Sequence, residues 1–200
     1  MARTRWPIVL VLGILFPVAT GEANAQAGTP NAKITSALSA APPSIADKAT
    51  IMDWPATAGG QPIQLRAGTN GWVCFPDLPT VHGNDPMCLD QVWLDWVNAW
   101  VGRTPPKIKS VGIGYMIAPG GGHGSNTDPY ATGPTADNEW GHDAPHLMIL
   151  VPDLASLDGL PTSRENGGPW VMWKSTPYAH IMAPVPPQQQ QSTPAPKNRP

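Results

Sequence analysis

Apolar positions from Leu89 to Val101 recur with helical spacing. Leu89, Val92, Trp93, Trp96, Val97, Trp100 and Val101 form one stripe, interrupted by Asp90, Gln91, Asp95 and Asn98. This is the i, i+3, i+4, i+7 pattern of a helix lying on a core. Asp85 suits an N-cap, Pro86 the first helical position, and Gly102 with Pro105-Pro106 the stop. The spacing predicts one main helix over 85–101. It places Trp93, Trp96 and Trp100 on the buried stripe rather than on a ligand-stacking platform.

Elsewhere the period is closer to two. Pro62 to Arg66 alternates, Gly68-Thr69-Asn70-Gly71 reads as a tight connection, and Trp72 to Phe75 reads as the partner strand of a hairpin. Ala49 to Met52, Lys107 to Ile117, His146 to Val151, Pro169 to Trp173 and Tyr178 to Ala183 read as further short strands. The last two form a second hairpin through Lys174-Ser175-Thr176-Pro177, with Val171 expected opposite His180 and Trp173 opposite Tyr178. Leu154 to Leu157 fits one helical turn, and Ala118 to Gly141 is the longest irregular stretch. The expected fold is α+β: an antiparallel sheet of about five to seven short strands with the 85–101 helix packed on a face. A β-sandwich with one covering helix is the alternative.

The ends of the chain read differently. Arg3 and Arg5 precede an apolar run from Trp6 to Val18, and small-x-small sites follow at Ala23-Asn24-Ala25 and Ala25-Gln26-Ala27. These are the parts of a secretory signal over 1–27, and the run is too short to span a bilayer. The expectation is a secreted or periplasmic protein with no transmembrane segment after cleavage. Residues 28–43 read as a poorly ordered leader, 44–185 as a single globular domain, and 186–200 as a disordered Pro/Gln-rich tail.

Charge narrows the partners. From Gly28 to Val185 eight Lys and Arg face thirteen Asp and Glu, and the only local basic group is Arg103, Lys107 and Lys109. Phosphate-backbone binding needs a concentrated basic face, so nucleic acid and anionic membrane surfaces are set aside. Twenty glycines and twenty-six prolines predict many turns and little helix. Cys74 and Cys88, in an exported chain, are expected to form a disulfide.

Candidate chemistry centres on a repeated phrase. His146-Leu147-Met148 is echoed by His180-Ile181-Met182, each with Val-Pro beginning three positions after its Met. On strands, His and Met at i and i+2 share a face. His146, Met148, His180 and Met182 are thus either the centre of a core or a soft-metal site, copper being the metal that thioether and imidazole suit. A second set, Glu139, His142, Asp143 and His146, offers zinc ligands or a general base, although Gly141 and Pro145 argue against the helix that would align the histidines. No dinucleotide fingerprint, phosphate loop or serine-hydrolase elbow occurs. Three functions follow in order. The first is a non-enzymatic binding or envelope-associated domain for an unknown small ligand or envelope component. The second is a copper-binding protein using the twin strands. The third is a metal-dependent hydrolase built on His123, Glu139, His142 and His146, with the Gly-rich stretch as a lid.

Overall fold

The computed structural model describes residues 28–57, 60–78 and 83–185. The signal expected over 1–27 and the tail expected over 186–200 lie outside the described residues. The fold is α+β. In chain order the elements are α1 (Pro30–Leu38), α2 (Pro43–Ala46), β1 (Thr50–Asp53), β2 (Ile63–Arg66), β3 (Val73–Phe75), β4 (Met87–Leu89), α3 (Gln91–Val101), β5 (Gly112–Met116), β6 (Gly122–Ser125), β7 (Trp140–Asp143), β8 (His146–Leu150), β9 (Trp170–Met172) and β10 (His180–Pro184). Two 3-10 turns, Leu154–Leu157 and Arg164–Asn166, precede β9. The main sheet runs β2-β1-β3-β4-β5-β8-β10-β9, and β6 pairs with β7 in a separate two-stranded sheet.

Alternation along the strands divides the core between two faces. Phe75, Leu89, Met148, Leu150, Met172 and Met182 pack with Trp93 and Trp96 of α3. Cys74, Cys88 and Ile51 turn to the other face, where they meet Ala37 of α1 and Ala46 of α2. The stretch 28–43, expected to be poorly ordered, therefore contributes core. Thr29 caps α1 through its side chain, Pro30 supplies the first turn, and the small side chains let the helix approach the sheet closely. Among the described residues, no helix is long and apolar enough to cross a membrane.

The first hairpin is not formed. β2 pairs with β1 antiparallel, and β3 pairs with the opposite edge of β1 in parallel, so β1 lies between the two expected partners. The connecting residues cross the start of β1 instead of reversing on themselves. Thr50 N donates to Trp72 O and Thr69 N to Lys48 O, while a Cβ at Gly68 would stand 2.1 Å from Thr50 N. Asn70 accepts from Trp72 N and donates to Ile45 O, which makes an Asx turn of the Asn-Gly pair.

The helix start is also later than its stripe predicted. Residues 87–89 are strand, with Cys88 directly opposite Cys74 and Tyr115 on its other side. Asp90 is the N-cap, accepting from Trp93 N at 2.9 Å and also from Ile113 N of β5 at 2.6 Å. Strand pairing on both edges, fixed by the Cys74–Cys88 disulfide, outcompetes the local Asp-Pro signal. The bridge accordingly ties two strands together, not a strand to a helix.

The β9–β10 hairpin forms one residue out of the expected register. Met172, not Val171, stands opposite His180, and Val171 pairs with Ile181. The linking turn holds Trp173 at φ 56° and Ser175 at φ 71°, left-handed conformations that shorten both strands. Met172 thereby joins His180 and Met182 on the α3 face.

Candidate functional site

A chamber of about 660 Å³ opens between the α3 face of the main sheet and the β6–β7 sheet. Its walls are aromatic and thioether-rich. Trp93, Trp96 and Trp100 come from α3, Trp54 follows β1, Trp140 comes from β7, and Trp173 comes from the turn after β9. Met87, Met116, Met148, Met172 and Met182 fill the gaps from five different strands. Exposed lining residues mark the mouth: Val101 at the end of α3, 66% exposed, with Asp128 and Thr132 across from it.

The indoles hold one another. Trp173 lies nearly parallel to Trp96 (5.8 Å, 7°) and to Trp100 (6.3 Å, 15°), and Tyr130 continues the stack on Trp100. The left-handed backbone at Trp173, costly for a bulky residue, is what turns its ring inward. Trp173 N and Nε1 donate to Asn126 O and Ser125 O, which locks it there. The apolar stripe predicts that the α3 tryptophans are core. Trp93 and Trp96 are indeed buried, yet with Trp100 they are also chamber wall.

All four residues of the twin phrase line this chamber. β8 and β10 are antiparallel neighbours with Met148 opposite Met182 and His146 opposite Pro184, so His180 falls opposite Leu150. Four residues along the ladder separate the two histidines, about 13 Å at the usual strand rise. Each is 2% exposed. His180 stands edge-on to Trp93, Trp96 and Trp173 at 5.1–5.7 Å. Burial pushes both imidazoles down to about 4, with His146 adding a little to the effect on His180. Both rings are therefore neutral at physiological pH.

The second predicted set is divided. Asp143 and His146 line the chamber, whereas Glu139 and His142 are exposed. Glu139 accepts from Asn126 Nδ2 at 2.8 Å, and His142 Nε2 lies 2.6 Å from Gly120 O. His123 lines the chamber and stands opposite His142 in the β6–β7 ladder, ring centroids 5.0 Å apart. Among the described residues, no group of three or more His, Cys, Asp or Glu is gathered closely enough to hold a metal ion.

Sequence reasoning missed Asp85. The residue taken for a helix cap lies instead at the chamber, its backbone N–H donating to Asp77 Oδ1 at 3.0 Å. A Cβ at Gly122 would stand 2.5 Å from Asp85 Oδ2, so only glycine lets β6 close over this carboxyl. Burial, the Asp77 carboxyl and then Asp143 push Asp85 up to about 7. Burial pushes Asp143 up to about 6 against the opposing pull of Arg164, His142 and His123. Arg164 pairs with Asp143 at 3.5 Å and donates to Gly124 O at 3.2 Å, fastening the small sheet to the body of the protein.

A raised carboxyl pKa has a definite sign in stability. The fold favours protonated Asp85, so its contribution is intact below about pH 4 and lost as pH rises through about 7. Asp85→Asn should therefore leave stability nearly unchanged at about pH 4 and raise it by about 1 kcal/mol at about pH 8, allowing for solvent screening. Urea denaturation at the two pH values checks this, and an equal effect at both would show that ionisation is not the cause.

No family model, no curated protein and no solved structure matches this chain.

Proposed function

We propose that the protein is a non-enzymatic binding protein of a secreted or periplasmic compartment that encloses one small, largely apolar ligand. The observation that carries this is the chamber. Its volume falls in the range of small-molecule sites, and its make-up of apolar walls with a few convergent polar groups is that of a binding pocket. Six tryptophans and five methionines supply a contact surface that adapts to shape while excluding water. The buried Cys74–Cys88 bridge supports the compartment, since disulfides persist where the surroundings are oxidising.

The direct test is titration with the neutral fluorophore N-phenylnaphthylamine, whose emission rises on leaving water. The expected result is saturable binding of one molecule per chain, with quenching of the tryptophan emission. A linear, unsaturable rise would remove the proposal.

A second reading rests on Met148 and Met182, which face each other across the β8–β10 ladder with His146 and His180 on the same face. Soft-metal binding would use them, and Cu(I) uptake that Met148→Leu abolishes would install that reading instead. It ranks second because a four-residue offset of the two histidines along the ladder suits a chamber wall better than one coordination shell with bonds of about 2.0–2.3 Å. Hydrolysis ranks third, with Glu139 and His142 outside the chamber.

A further inference from the structure

Four of the six chamber indoles turn their hydrogen-bond donors away from it, and buried acceptors lie at one end. Trp54 donates to Pro76 O, Trp93 to Met148 O, Trp100 to Pro129 O and Trp173 to Ser125 O, at 2.7–3.2 Å. Each of these indoles thus presents only its apolar faces. His146 Nδ1 sits 2.6 Å from Ala144 O, and His180 Nδ1 3.0 Å from Tyr178 O. A carbonyl oxygen can only accept, so in each neutral ring the proton is on Nδ1 and Nε2 carries a bare lone pair. His146 Nε2, Asp85 Oδ1 and Asp143 Oδ1 are buried with no hydrogen-bond partner among the described residues, as is the donor Arg164 Nη1 beside Asp143. A buried acceptor left so costs about 1–3 kcal/mol, a cost that a ligand's donor would remove.

These acceptors sit together. Cys88 pairs with Tyr115 and Met116 with His146, so Asp85 and His146 lie at the same end of the main sheet. Asp143, three residues before His146, adds a second carboxyl there. Among the described residues no Lys or Arg lines the chamber; the Arg164 guanidinium lies behind Asp143, with Nη2 donating to Gly124 O and Nη1 3.5 Å from the carboxylate. At this end an anionic ligand would meet two carboxyls, while the cationic groups nearest them, Arg164, His142 and His123, act on Asp143. A donor-bearing cation would meet acceptors at this end, and aromatic faces along its body.

Building on the proposed binding role, we infer that the ligand is an organic amine: an apolar, ring-compatible body with an ammonium head lodged between Asp85 and His146. The body lies along Trp96, Trp100 and Trp173, towards the mouth. A bare metal ion would satisfy the acceptors but leave most of the chamber empty.

Three probes sharing one body separate the head group from the body. Calorimetric titration of the full chain with 1-naphthylmethylammonium, 1-naphthylmethanol and 1-naphthoate, in a buffer at about pH 8, gives three dissociation constants. The ammonium should bind about tenfold tighter than the alcohol, as one charge-assisted hydrogen bond provides, and the carboxylate about tenfold weaker. In Asp85→Asn the advantage of the ammonium over the alcohol should fall about fivefold or more. Should that variant not fold, the ranking on the native chain decides the matter by itself. Equal binding of ammonium and alcohol, or tighter binding of the carboxylate, would overturn the amine assignment while leaving the chamber as a binding site. An ammonium advantage unchanged in folded Asp85→Asn would overturn the role of that carboxyl. No binding of any of the three would count against both the amine and the chamber.

Discussion

Replacing Trp93 with Ala should cost about 3–5 kcal/mol of folding stability, the range for removing a large aromatic from a packed core. Trp93 is 2% exposed, contacts Trp96 and His180 with centroids 4.8 and 5.2 Å away, and donates to Met148 O. The substitution deletes the ring on which α3 meets β8 and leaves that carbonyl without its donor. Trp93→Phe keeps most of the volume and loses the hydrogen bond, so it should cost nearer 1 kcal/mol. Urea denaturation of both variants separates the two contributions. A Trp93→Ala cost below about 1 kcal/mol would mean that α3 is not seated as described.

The second large effect is expected from the disulfide. Cys74 and Cys88 are both fully buried, face each other across the β3–β4 ladder and lie 14 positions apart. Opening a loop of that length costs about 3 kcal/mol in the chain-entropy account. For a domain of this size that is a fall of about 6–12 °C in Tm. Calorimetry of the native chain against Cys74→Ala/Cys88→Ala measures it. The effect should appear in overall unfolding, because the bridge joins strands near the middle of the eight-stranded order. An unchanged Tm would contradict the placement of the bridge inside the core.

Much of this architecture is written locally. The period-two phrases at His146 and His180 gave two real strands, adjacent and with the expected face shared, because alternation alone decides which side chains go in. The apolar stripe gave α3, since Trp93, Trp96 and Trp100 have no other way to be buried together. What local pattern cannot carry is pairing at a distance. β1 slips between β2 and β3 through backbone contacts with residues 68–72, and nothing in the Asn-Gly turn signal records that. The β6–β7 sheet was read as loop because Gly122-His123-Gly124-Ser125 has no hydrophobic alternation; its pairing is backbone closure over Asp85, which glycine alone permits.

The site was legible in the same proportion. The four His and Met residues were singled out on the strength of their shared face, and they do line one chamber. The acidic end was not legible. Asp85 before Pro86 looks like a helix cap; Gly122 closes over it and the Asp77 and Asp143 carboxyls act on it, none of them a neighbour in sequence. A carboxylate before a proline, followed by an apolar triplet that includes a bridged cysteine, is equally compatible with a strand entry.

The proposed ligand has to enter the chamber. Ala131, half-exposed, lines it beside the mouth residues Asp128 and Thr132, so a large side chain there blocks entry without disturbing the core. The most direct measurement compares N-phenylnaphthylamine binding to the native chain and to Ala131→Trp at matched folding stability. The account predicts binding weakened by about tenfold or more in the variant, equivalent to at least about 1.4 kcal/mol, with Tm unchanged. Equal affinity in the two proteins would contradict it.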